Sequence, residues 1–268
     1  MAEHKANVIS ILNFKGGVGK TTTTLNLGAA LARKGKRVLL IDLDVQMNTT
    51  NNLGYSIKDG ESVYELLAGV NDGYPVYDTN ETNLQFIPSS TRLDVLASML
   101  ANETGRELVL REKISPLFQI YDFVLLDCPP GKSVLTDNAI CASDYVIIPT
   151  LCEEMCQQGL VSVITKIDTI KKRLHHEAMV LGFLLTRYDK REKVDIRTMY
   201  DILGQINAPV FKTVIRKCVS LSRFCQFQNV FAYDEKTFKS GFGRKFSYSN
   251  GADDYMALAN ELLEYLRN

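Results

Sequence analysis

The chain has 268 residues, 46% of them hydrophobic and 23% charged, with 31 basic and 31 acidic side chains. That balance excludes a disordered chain, and a formal net charge of zero excludes a polyanion binder that uses its whole surface, leaving room only for a local basic patch. No uninterrupted apolar run is long enough to cross a membrane, and the opening MAEHKANVISIL lacks the features of a secretory signal, so a cytoplasmic location is expected. Cys128, Cys141, Cys152, Cys156, Cys218 and Cys225 form no CxxC pair; they read as small buried apolar residues, not as a disulfide framework or a zinc site.

In chain order, the β-branched run over 8–12 predicts a strand, followed by a glycine-rich turn and a helix over 21–33 with Leu25, Leu27, Ala29, Ala30 and Leu31 at packing positions. Near-continuous apolar strands follow over 37–42, 121–127, 145–149 and 179–185. Leu160, Val163, Ile164, Ile167 and Leu174 follow helical spacing between the last two, and Lys171, Lys172 and Arg173 suit the final turn of that helix. Residues 43–83 read as a surface excursion with one short helical stretch near 62–68. Strands apolar on both faces that alternate with helices predict an α/β fold: a doubly wound, mostly parallel sheet with helices on both faces, in a single domain over 1–268.

The most informative segment is Asn13-Phe14-Lys15-Gly16-Gly17-Val18-Gly19-Lys20-Thr21-Thr22, between a strand and a helix. Glycines let backbone N–H groups converge on phosphate oxygens, and the helix adds the positive end of its dipole. Lys20 supplies a point charge for the β- and γ-phosphates, and the Thr21 hydroxyl can ligate Mg²⁺. The common P-loop pattern has glycine at position 14 and asks for no lysine at 15, so this is a variant loop. Asp127 ends a strand just before Cys128-Pro129-Pro130-Gly131 and is expected to hold Mg²⁺ through its hydration shell. Asp42 and Asp44 end another strand, and one of them is expected to complete the metal and water site.

These motifs resemble the ParA/MinD group of P-loop ATPases, which carry the loop KGGxGKTT found here at Lys15, Gly16, Gly17, Val18, Gly19, Lys20, Thr21 and Thr22. The resemblance places Lys15 at that group's signature lysine, Lys20 at the P-loop lysine, Asp44 at the water-orienting aspartate and Asp127 at the Walker B aspartate. It extends through Thr136-Asp137-Asn138-Ala139, the strand around Tyr145, Thr213-Val214-Ile215 and the closing Gly251-Ala252, with 55–120 the least informative stretch. It implies a short ParA type without a helix-turn-helix domain ahead of the loop. It further implies ATP and Mg²⁺ as ligands, catalytic roles for Lys15, Lys20 and Asp44, metal contacts from Thr21, Asp44 and Asp127, and an ATP-dependent homodimer in which Lys15 crosses to the partner's nucleotide. Two departures stand out. Where the family has Pro and Gly in its DPQGN element this chain reads Asp44-Val45-Gln46-Met47-Asn48, and where short ParA proteins have a proline near the adenine it reads Arg216.

The P-loop alone leaves the cargo open among DNA, membrane, protein and electron-transfer partners. Membrane-bound relatives of the MinD kind end in a basic amphipathic helix. Here the closing helix pairs an apolar stripe (Tyr255, Leu258, Leu262, Leu263, Leu266) with Asp253, Asp254, Glu261 and Glu264, which predicts core packing and no membrane. Over 211–225 there are four basic residues and no acid, and over 236–245 again four and no acid. The region 211–245 is therefore the candidate DNA-binding surface, through Arg216, Lys217, Arg223, Lys239, Arg244 and Lys245. The expectation is a nucleoid-associated partitioning ATPase that binds non-specific DNA, with hydrolysis stimulated by a centromere-binding ParB-like protein; the alternatives are a related ATPase that positions a protein cargo and a MinD-like membrane ATPase.

Overall fold

Strand β1 (Asn7–Ile11) is buried on both faces, Val8 facing one helical layer and Ile9 and Ile11 the other. The structure is a computed structural model and describes residues 5–56, 61–70, 73–151, 157–191, 200–201, 203–205, 209–239 and 248–267. Six more strands join β1: β2 (Val38–Asp42), β3 (Tyr77–Asp78), β4 (Leu84–Ile87), β5 (Phe123–Asp127), β6 (Tyr145–Leu151) and β7 (Met179–Thr186). Their order is β3-β4-β2-β5-β1-β6-β7, parallel throughout except for the β3–β4 edge pair.

The helices cover both faces, as the apolar strands require. On one side lie α3 (Val63–Ala68), α4 (Leu93–Leu100), α5 (Val109–Ile114), α6 (Val134–Ala142) and α7 (Gln157–Leu174). On the other lie α1 (Lys20–Arg33), α9 (Val230–Lys239) and α10 (Asn250–Tyr265), preceded in the chain by the short α8 (Val219–Arg223). Tyr255, Leu258 and Leu262 of α10 are buried against α1 and the sheet, so the closing helix packs in the core as its stripe predicts. Gly28 lets α1 lie close to the sheet, because a Cβ there would meet Leu40 Cδ2 at 2.8 Å. From β1 the chain crosses through α1 to β2, and from β5 through α6 to β6. The loops after β1 and β5 therefore part in opposite directions and leave a crevice at the carboxyl edge of the sheet.

The stretch read as surface excursion holds α2 (Asn48–Asn52), α3 and β3, and β4 follows at once. Leu84, Phe86 and Ile87 are buried, but a four-residue run is too short to show a period. Cys128 and Cys141 are buried as expected, whereas Cys218 is half-buried and Cys225 is exposed. Cys152 and Cys156 lie outside the described residues.

Candidate functional site

At the end of β1, Asn13 fixes the entry to the loop: its amide donates to Pro149 O at 2.8 Å and its Oδ1 accepts the Lys15 N–H at 2.9 Å. Gly17 (φ 73°) and Gly19 (φ 94°) take left-handed backbone that a side chain would strain. A Cβ on Gly16 or Gly17 would meet nothing within 4 Å, so the loop bounds open space. Val18 is buried, and its carbonyl accepts the Thr186 hydroxyl at 2.8 Å, tying the loop to the end of β7. The two lysines part company. Lys20 turns inward, 7% exposed, with Nζ donating to Lys15 O at 3.2 Å, while the Lys15 side chain is exposed at the rim.

Beneath the loop, Asp127 Oδ2 accepts hydrogen bonds from Thr21 Oγ1 at 2.8 Å and Thr49 Oγ1 at 2.7 Å. Its Oδ1 is buried without a hydrogen-bond partner among the described residues. Asp42 is the register neighbour of Asp127 across β2 and β5, and is fully buried as well. It accepts from Thr50 N at 2.9 Å, Thr50 Oγ1 at 2.7 Å and Asp44 N at 3.1 Å. Burial pushes both carboxyls above the usual range; the charge of Asp127 adds to the shift of Asp42, and the threonine hydrogen bonds oppose it in each. Burial likewise lowers the Lys20 ammonium, against the pull of Asp127.

Asp44 lines the same cleft, 6% exposed, with Oδ1 accepting the Gln46 N–H at 3.0 Å. The Asp44 carbonyl accepts from Met47 N at 2.8 Å, which closes a tight turn. Met47 stands at φ 56°, left-handed backbone without a glycine. The cleft encloses about 610 Å³ and runs from Gly16, Lys20 and Thr21 past Asp44 to Ile215, Arg216 and Leu221. A glycine cradle, an inward lysine and an oxygen-only set from Thr21, Asp44 and Asp127 with one oxygen unpaired fit a magnesium-bound triphosphate. Among the described residues no three His, Cys, Asp or Glu side chains converge on one point. Magnesium needs no such cage, since phosphates and water complete its shell.

A family model described as an AAA domain matches residues 6–180. The chain is 37% identical over 258 residues to the sporulation initiation inhibitor protein Soj of Bacillus subtilis, covering 95% of this chain and 97% of Soj. It is 35% identical over 265 residues to the chromosome partitioning protein ParA of Myxococcus xanthus, covering 96% and 88%. The chain belongs to the ParA/MinD family of P-loop ATPases. Among solved structures of this fold, cobyrinic acid a,c-diamide synthase from Mycobacterium smegmatis with ADP and magnesium matches with a TM-score of 0.82 at 30% identity, covering 98% of this chain and 96% of that one. MinD of Pyrococcus horikoshii with Mg-ADP matches at 0.76 and 26%, covering 97% of each.

Within this ParA-type chain the expected nucleotide residues Lys15, Gly16, Gly17, Val18, Gly19, Lys20, Thr21 and Thr22 form one loop and helix start, with Asp44 and Asp127 beside it. Thr49, Thr50 and the burial of Asp42 were missed; the only sequence signal was a threonine pair shortly after the DVQMN turn. The basic residues divide. Arg216, Lys217 and Arg223 are all exposed; Arg216 also makes a bidentate ion pair with Asp254, at 2.6 Å, and both Arg216 and Lys217 border the cleft. The Lys239 side chain, Arg244 and Lys245 lie outside the described residues. No helix among the described residues is long and apolar enough to cross a membrane.

Proposed function

We propose that this chain is an ATP-dependent DNA-partitioning ATPase that dimerises around ATP–Mg²⁺, binds DNA non-specifically, and lets go when a centromere-binding ParB-like partner stimulates hydrolysis. The observation that carries the nucleotide part is the Thr21–Asp127 contact under the open glycine loop, with a buried carboxylate oxygen left unpaired. Thr21, Asp44 and Asp127 would hold magnesium, which supplies positive charge against the charge that builds on the transferring phosphoryl group. The backbone N–H groups of residues 16 to 22 cradle the phosphates, and Lys20, already desolvated, interacts with them more strongly than a surface lysine does. Asp44 orients the attacking water from its place in the cleft lining. The exposed Lys15 is positioned to reach outward, which supports a role on a partner subunit's nucleotide.

The partition part is supported by similarity along nearly the whole chain to Soj and ParA. Exposed cations on one stretch, Lys212, Lys217 and Arg223, support the DNA part. An electrophoretic shift of random duplex with ATP, ADP or no nucleotide tests it. Retardation with ATP alone, lost in Lys15→Ala, is expected. Retardation that ignores nucleotide, or none at all, refutes the ATP-gated DNA surface and favours a protein cargo.

A further inference from the structure

After β2 the chain from Asp44 to Thr50 folds over the two buried carboxyls, and side-chain hydrogen bonds hold it from three directions. Ser89, in the loop ahead of α4, donates its hydroxyl to Asp44 O at 2.8 Å and its N–H to Thr50 Oγ1 at 2.9 Å. Asp42 accepts from Thr50 N and Oγ1 and from Asp44 N. The third anchor is of another kind. Thr49 Oγ1 donates at 2.7 Å to Asp127 Oδ2, the same oxygen that accepts Thr21 Oγ1 at 2.8 Å.

Helix α2 does not hold itself in place. It has five residues, Asn48-Thr49-Thr50-Asn51-Asn52, all weak helix formers, and Met47 at its start is left-handed and gives no side-chain cap. Its position therefore follows from the groups its threonines grip. Asn51 N donates to Met47 O at 2.8 Å, and Met47 N to Asp44 O at 2.8 Å, so the helix and the turn that carries Asp44 form one hydrogen-bonded unit. Thr49 is fully buried and does not line the cleft, whereas Asn48, Asn52 and Asp44 do. Valine would fill the same volume, so packing alone does not call for a hydroxyl there; a bond from a hydroxyl to a carboxylate is among the stronger ones a side chain can make.

We infer that Thr49 is a positioning residue for hydrolysis, whose hydroxyl ties the turn carrying Asp44 to the carboxylate that serves magnesium, so that one contact sets the water-orienting group against the metal site. The inference rests on the ATPase reading, in which Asp44 orients water and Asp127 serves the metal, and adds the link between them. Thr21 and Thr49 do not compete. A hydroxyl that meets magnesium through its oxygen keeps its proton for Asp127 Oδ2, so Thr21 can serve the metal while Thr49 stays bound. Thr49 acts only through its two neighbours, Asp127 by hydrogen bond and Asp44 by the backbone of the turn.

The test compares Thr49→Val, which keeps the shape and loses the hydroxyl, with Thr49→Ser, which restores it. Backbone hydrogen exchange over 44–52 is measured in the ligand-free protein, Mg·ADP affinity by calorimetry, and hydrolysis by single turnover. In Thr49→Val, exchange over 44–52 should quicken and hydrolysis fall, each by about tenfold, the scale of one lost hydrogen bond to a charged group. Mg·ADP affinity should hold, and Thr49→Ser should match the wild type in all three. Adding Thr49→Val to Asp44→Ala should cost no further turnover, because the two act as one unit. Exchange outside 44–52 reports whether the fold is intact, and Thr49→Ala carries the test if the valine variant does not fold. Unchanged exchange and turnover would make Thr49 a packing residue, weakened Mg·ADP would place its hydroxyl on the ligand, and additive losses in the double variant would make it independent of Asp44; each result overturns the inference. Wild-type turnover in Asp44→Ala alone would refute the water-orienting reading itself, and the exchange measurement, made without nucleotide, tells that failure apart from a missing tether.

Discussion

Asp44 lines the cleft with one carboxylate oxygen already accepting the Gln46 amide, so its side chain is oriented before any ligand arrives. Pre-orientation of this kind is what a water-positioning group needs. Asp44→Ala is expected to keep ATP binding and lower turnover by about 100-fold or more. Single-turnover assays beside calorimetric ATP titration check this, and wild-type turnover would move the role to Asp42. Asp127 differs, being costly to the fold itself: it is fully buried beside Asp42, with one oxygen unpaired. Asp127→Asn keeps the shape, removes one of two adjacent carboxyls and can place an amide donor toward the other. We expect the ligand-free protein to gain about 1 kcal/mol, a rise in melting temperature of about 2–4 °C, while magnesium-dependent hydrolysis is lost. A lower melting temperature in the variant would show that the aspartate is not under electrostatic load. Asp127 thus expresses a trade in which a buried carboxyl kept for a ligand destabilises the empty site.

At the scale of elements, α10 is more than a core helix, since Tyr255 packs inward with its hydroxyl 3.2 Å from Thr23 Oγ1 of α1 while Asp254, next in sequence, holds Arg216. Gly251 lets the start of this helix approach the cleft wall: a Cβ there would stand 2.6 Å from Leu221 Cγ and 2.7 Å from Cys218 Sγ. Gly251→Ala improves helix propensity by about 1 kcal/mol, but overpacking costs about 1–3 kcal/mol, so net destabilisation is expected. Because the displaced atoms line the nucleotide cleft, ATP affinity should fall as well; thermal melting and calorimetry read the two effects. The core strands, α1 and the phosphate loop were legible because long apolar periods and a dense glycine–lysine pattern are local signals. Within 43–87 the short helix near 62–68 was legible and is α3, but β3 and β4 were not, since they are two and four residues long and derive their place from neighbours. Nor was the Arg216–Asp254 pair, whose members lie 38 residues apart and meet only because α10 folds back over the segment after β7. Composition showed a basic stretch there; it could not show that one of its cations was already spoken for.

For the whole molecule, zero net charge with exposed cations gathered near the cleft suits a surface that binds weakly alone and adequately when doubled. Lys217 lines the nucleotide cleft and Arg223 lies two residues beyond its Leu221 wall, so a dimer formed around nucleotide would present two such patches at once and couple DNA binding to the γ-phosphate through geometry alone. Lys217→Ala with Arg223→Ala should weaken every duplex about equally, because phosphate contacts carry no base information; since Lys217 lines the nucleotide cleft, Arg223→Ala alone is the variant expected to spare ATP binding and dimerisation. The slope of log affinity against log salt should flatten by about 0.9 for each phosphate contact removed. Fluorescence anisotropy with two unrelated duplexes across a salt series, in ATP, measures both quantities. Sequence-dependent loss would point to base readout instead. An unchanged slope with intact ATP-dependent dimers would mean that these cations only solvate the surface, and the protein-cargo reading would then be the stronger one.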